Sequence, residues 1–194
     1  MILGSILALL LAVPILVYVR RLFSFPNRSA DQVAPYLRNA GLAELESLLD
    51  PRDEEHLEMA LTPAQFRQAQ LNRIRLLREK LGCCGHNAAI LQEWAGHELR
   101  RSRHTLDGDV QAAAEALFRH CPEFRIAAFW IQLQLNLWYL QLMMLPGAKA
   151  PWISRLRRID SFDLLECYEQ IRQAAAQLAL ACGGDCPKKL AETL

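Results

Sequence analysis

Lysine is scarce in this chain: of 22 basic residues only Lys80, Lys149, Lys188 and Lys189 are not arginine. Net charge is nearly absent as well, +1 from 22 basic and 21 acidic side chains. A nucleic-acid-binding domain needs a basic face and an isoelectric point above about 9, so DNA and RNA are excluded as expected partners. Arginine-rich surfaces can recognise carboxylates and phosphates, but no dense basic stripe accompanies the bias here.

The motifs that would announce a reaction are missing too. There is no G-x-x-x-x-G-K-[ST] or G-x-G-x-x-G to cradle a phosphate and no G-x-S-x-G nucleophile elbow. No pair of Glu-x-x-His segments could build a di-iron bundle site. The six cysteines include no C-x-x-C of the zinc-ribbon or thioredoxin kind. Internal repeats and low-complexity tracts are absent. No cofactor is expected on this basis, and no reaction is assigned.

What the chain does have is a long apolar start. Residues 2–19 are 18 positions without charge, followed at once by Arg20 and Arg21. As a helix this run is about 27 Å long, enough for a thin bilayer core with the arginines at its boundary. Pro14 is tolerated in such a span if neighbouring groups satisfy the freed carbonyl. A cleaved signal peptide would carry its basic residues before the apolar region and a small-residue site after it. Here the order is reversed, so residues 1–21 are expected to be a retained, single-pass signal-anchor helix. Arg20, Arg21, Arg28 and Arg38 all follow the span, which places the body in the cytoplasm and the N-terminus outside by the positive-inside rule. Gly4, Ala8 and Ala12 recur every fourth residue, a small-residue face on which two membrane helices could pair.

Residues 22–28 form a short juxtamembrane linker, and residues 29–183 are expected to form one all-α cytoplasmic domain, with a flexible tail over 184–194. The bundle is irregular, of about five or six helices. Ser29 offers a first N-cap, for a short helix interrupted near Gly41. Residues 44–58 concentrate Glu44, Glu46, Asp50, Asp53, Glu54, Glu55 and Glu58 around Pro51, reading as a helix end, a turn and a solvated acidic surface. Thr62, Pro63 and Gln65 supply an N-cap, an N1 proline and a capping-box partner. Beyond them Phe66, Ala69, Ile74, Leu76, Leu77 and Leu81 share a helical face. Gly82 and Gly85 mark an end or a kink. A second stripe, Cys84, Ala88, Leu91, Trp94, Ala95 and Leu99, follows, and Asp107 with Gly108 opens the next helix.

Residues 126–145 hold no charge across 20 positions. Gln132, Gln134, Asn136 and Gln141 lie on more than one side of such a helix and would be costly in lipid. The stretch therefore reads as the buried central helix of the bundle, near 124–145, rather than as a second span. Pro146, Gly147 and Pro151 break the chain, and Asp160 or Ser161 starts a last helix with an apolar stripe of Leu164, Cys167, Tyr168, Ile171, Ala175, Leu178 and Cys182.

Two functional readings follow. The leading one is a non-catalytic scaffold domain, tied to the bilayer through residues 2–19, that holds a protein partner or a second copy of itself at the cytoplasmic membrane face. Trp152, Arg155, Arg157 and Arg158 belong to a short basic, amphipathic run, with Ile153, Leu156 and Ile159, that could dip Trp and Ile into the headgroup layer. The alternative is a metal- or thiol-dependent sensor or enzyme built on Cys83, Cys84, His86, Glu93 and His97, with help from Cys182 and Cys186. Glu93 and His97 are spaced i, i+4, so adjacent turns could share an ion.

Overall fold

The computed structural model describes residues 33–105, 107–145, 151, 153–159 and 162–183. The expected anchor with Gly4, Ala8, Ala12, Arg20 and Arg21, the linker and the tail with Cys186 lie outside these residues. Among the described residues no helix is long and apolar enough to cross a membrane.

Two long helices set the frame. A short opening segment with a 3-10 turn at Ala34–Tyr36 leads to Gly41, whose left-handed backbone (φ 59°) precedes α1, Leu42–Leu48. α2, Pro51–Ala60, starts on Asp50, whose carboxylate accepts the Arg52 N–H at 2.8 Å, and has Pro51 in its first turn. The stretch 44–58 reads in sequence as a helix end, a turn and an acidic surface around Pro51; the helix end is there in α1, but from Pro51 on the chain is helical again. Residues 51–60 are helical because Asp50 satisfies an open N–H and proline suits the first helical position, where its missing N–H costs nothing.

α3, Pro63–Thr105, is 43 residues long. Its capping box is built as expected: Thr62 Oγ1 accepts the Gln65 N–H, and Gln65 Oε1 accepts the Thr62 N–H at 3.1 Å. The helix does not end at Gly82 and Gly85. Two glycines cost it on the order of 1 kcal/mol each, and the buried row Ile74, Leu77, Leu81, Cys84, Ala88, Leu91, Trp94 and Ala95 crosses them unbroken. Leu76 falls at the edge of that stripe and is exposed.

Asp107 caps α4, Gly108–Met144, through the Val110 N–H. α3 and α4 form a long antiparallel hairpin. Pro122 sits inside α4 without ending it. At the far end of the hairpin the Arg67 guanidinium donates to the Leu142 carbonyl and the Arg78 guanidinium lies 5.9 Å from the Tyr139 ring centre.

A 3-10 turn, Ile153–Arg157, then enters a two-residue antiparallel bridge, β1 (Arg158–Ile159) with β2 (Phe162–Asp163), in register Arg158 with Asp163 and Ile159 with Phe162. α5, Leu164–Cys182, begins at Asp163, which accepts the Leu165 and Glu166 N–H groups. Its start lies after Asp160 and Ser161 because the bridge consumes the preceding residues. Gly183, at φ 69°, ends it.

α4 packs against α3 on one side and α5 on the other, while α3 and α5 touch each other sparsely. The opening segment is tied to both: Asn87 of α3 accepts the Arg38 N–H at 2.8 Å, donates to the Arg38 carbonyl at 2.7 Å, and donates to the Tyr168 hydroxyl at 3.1 Å. A single amide thereby completes one residue's backbone as a neighbouring strand would.

Candidate interaction surface

α4 was expected to be buried around 124–145, and that expectation is wrong for half its circumference. Phe124, Ala128, Ile131, Leu135 and Leu142 are buried, yet Ile126, Trp130, Leu133, Leu137, Leu140, Met143, Met144 and Leu145 stand in solvent, from 39% exposed at Leu133 to 76% at Met144. Among the described residues α3 and α5 are the helices that pack closely on α4, and the side turned away from them is the exposed one. A helix apolar all round looks like a core helix in sequence, and the number of neighbours decides whether it becomes one.

The exposed residues are ordered. Ile126, Trp130, Leu133, Leu137, Leu140 and Met144 follow one another at intervals of four, three, four, three and four, the 3.5-residue repeat of a coiled-coil seam. At 100° per residue they fall within about 80° of arc. No charged residue occurs from 126 to 145, and Arg125, the nearest cation on the N-terminal side, is turned inward at 8% exposure to donate to Gln92 Oε1 at 2.8 Å. The eight exposed side chains leave on the order of 800 Å² of apolar area in water, taking roughly 200 Å² for a whole side chain of this size. The largest patch on a typical monomer is about 300–600 Å² and is often functional.

The basic run is placed differently from its sequence expectation. Ile153 is fully buried and Leu156 nearly so, so these apolar side chains lid the bundle and are not available to lipid. The turn they sit on is clamped by Glu54 of α2, itself fully buried: Oε1 accepts the Ile153 N–H at 2.6 Å and the Gln70 side-chain amide at 2.5 Å, and Oε2 accepts the Ser154 N–H at 2.9 Å. Arg155 is exposed. Trp152 and the side chains of Arg157 and Arg158 lie outside the described residues. Glu54 was lost in its acidic surroundings in the sequence, where only the i, i+3 relation to Leu57 hinted at an inward face.

The metal and thiol candidates do not converge. Among the described residues no group of three or more His, Cys, Asp or Glu side chains could hold an ion. His86 Nε2 lies 3.1 Å from the Tyr36 carbonyl, and His97 Nδ1 lies 3.2 Å from Glu98 Oε1. Glu98, whose side chain is only 4% exposed, also meets Arg101 at 3.9 Å. Glu93 is half-buried. Cys84 is buried and Cys83 half-buried. Burial pushes the Cys84 thiol up to about 12 and likewise raises Cys121 and Cys167. A thiol held neutral in this way is a poor nucleophile and a poor metal ligand. Cys182 instead joins the other end of the hairpin, lining a cleft of about 150 Å³ with Glu98, Arg101, Ser102 and Asp107.

No family model, no curated protein and no solved structure matches this chain.

Proposed function

We propose that this protein is a non-catalytic helical docking domain, held to the cytoplasmic face of a membrane by residues 2–19, whose outer α4 face receives a protein partner. The observation that carries the reading is the uncharged row from Ile126 to Met144, left in water by a fold whose other long helices bury their apolar stripes. An interfacial lipid-binding helix is rich in Lys and Arg along its polar side. α4 has none over residues 126–145, and its exposed flanks carry Asn136 and Gln141, which suit a helix–helix contact better than a headgroup layer. The tether is supported by the uncharged run and the arginines behind it.

The test uses the full chain in cells. Fractionation with and without residues 2–19 reads the tether, and release of the full chain by alkaline carbonate would count against it. For the face, Ile126→Cys is labelled with N-ethylmaleimide in the wild-type background and with Leu137→Glu. Protection relieved at least tenfold by Leu137→Glu is expected. Rapid labelling in both would reject a docked partner.

A further inference from the structure

The geometry points to a second copy of this chain as the occupant of the α4 face, paired antiparallel about a two-fold axis near Leu135. This rests on the docking reading above and names its partner. Three observations carry it.

The first is the order of the row. Its intervals of four, three, four, three and four read the same from either end. Turned end for end about residue 135, Leu133 meets the second copy's Leu137, Trp130 meets Leu140, and Ile126 meets Met144. Every knob then faces a knob of the other copy at a single register, as a self-complementary two-fold interface requires. The pairing also sets the large indole against leucine rather than against itself.

The second is charge. An antiparallel overlap over residues 126–144 brings no charged side chain of one helix against the other, because that stretch contains none. Like-charge contact, the usual obstacle to self-association, does not arise.

The third is area. A standard interface buries about 800 Å² from each partner, with a spread that reaches down to about 600 Å², and the six side chains of the row leave on the order of 650 Å² in water, taking roughly 200 Å² for a whole side chain. The row by itself therefore falls within the range of a stable pair, near its lower end.

The experiment exploits the separation of the row's ends. Ile126 and Met144 are 18 residues apart, about 27 Å along one helix. Full-length chains carrying Ile126→Cys and Met144→Cys, with different tags, are co-expressed and oxidised in intact cells, the wild-type chain serving as control for its own cysteines. An antiparallel pair gives a mixed-tag disulfide at least tenfold above either variant expressed alone, and Leu137→Glu removes it. Cross-linking of each variant with itself, and not of the mixture, would overturn the antiparallel arrangement. Protection of Ile126→Cys from N-ethylmaleimide without any cross-link would reject the second copy while keeping the docking face. Free labelling without a cross-link would reject both.

Discussion

Removing the Glu54 carboxylate is expected to be among the most damaging single changes available outside the apolar core. Its oxygens accept three hydrogen bonds, from Gln70 of α3 and from the Ile153 and Ser154 N–H groups. Ile153, Gln70 and Glu54 are all fully buried, so water cannot replace the lost partner. A buried donor left unmatched costs about 1–3 kcal/mol. Glu54→Ala strands two such donors beside a small void, which places the loss at roughly 3–5 kcal/mol, a large part of the 5–15 kcal/mol a domain commands. Glu54→Gln keeps one acceptor oxygen but sets an amide N–H against a backbone N–H, for about 1–3 kcal/mol. Urea unfolding of the full chain in mild detergent, followed by far-ultraviolet circular dichroism, measures both. Exposed Glu58 on the same helix is the control, with Glu58→Ala expected within about 0.5 kcal/mol of wild type. Tryptic cleavage at Arg155 should accelerate in Glu54→Ala, because the turn that carries it loses its clamp. If Glu54→Ala matched Glu58→Ala in both assays, the carboxylate would not be holding the 153–157 turn.

Alkali should destabilise the fold through its buried thiols. The fold holds Cys84 and Cys121 neutral well above the ordinary thiol value of 9.0, so above that pH the unfolded chain sheds protons that the folded chain keeps, and stability falls. One unit above 9.0 the loss is about 1.4 kcal/mol per thiol. Urea midpoints across this range should decline less steeply in a Cys84→Ala, Cys121→Ala double variant, and an unchanged slope would refute the assignment. In mid-α3, a Cβ added at Gly82 or Gly85 meets nothing within 4 Å. Gly82→Ala and Gly85→Ala should therefore each stabilise by about 0.5–1 kcal/mol, read as a higher Tm. A lower Tm would mean that the helix needs its glycines there.

Much of the body was legible from residue order because local chemistry decides it. The Thr62–Gln65 capping box, the Asp107 start and the apolar stripes of α3 and α5 all depend on groups three or four residues apart, and apart from the exposed Leu76 they stand where the pattern puts them. Local signals failed where tertiary pairing outweighed them. Gly82 and Gly85 suggested an end or a kink in α3, but its own buried row, continuous across them from Ile74 to Ala95, keeps it helical. The acidic stretch around Pro51 looked solvated, and one of its carboxylates is the clamp that seats residues 153–154 about a hundred positions away. Such a contact leaves no trace in periodicity.

The deepest division concerns α4. Sequence alone determined that residues 126–145 form an uncharged helix with apolar side chains on every side, because helix propensity and residue type are properties of the segment. Whether that helix would be a core was not a property of the segment. It depended on how many elements pack around it: among the described residues α3 and α5 are the helices that pack closely on it, and the row from Ile126 to Met144 is left in water. Hydrophobicity sets how strongly a surface avoids water, and the assembled fold sets which surface is left to satisfy that demand.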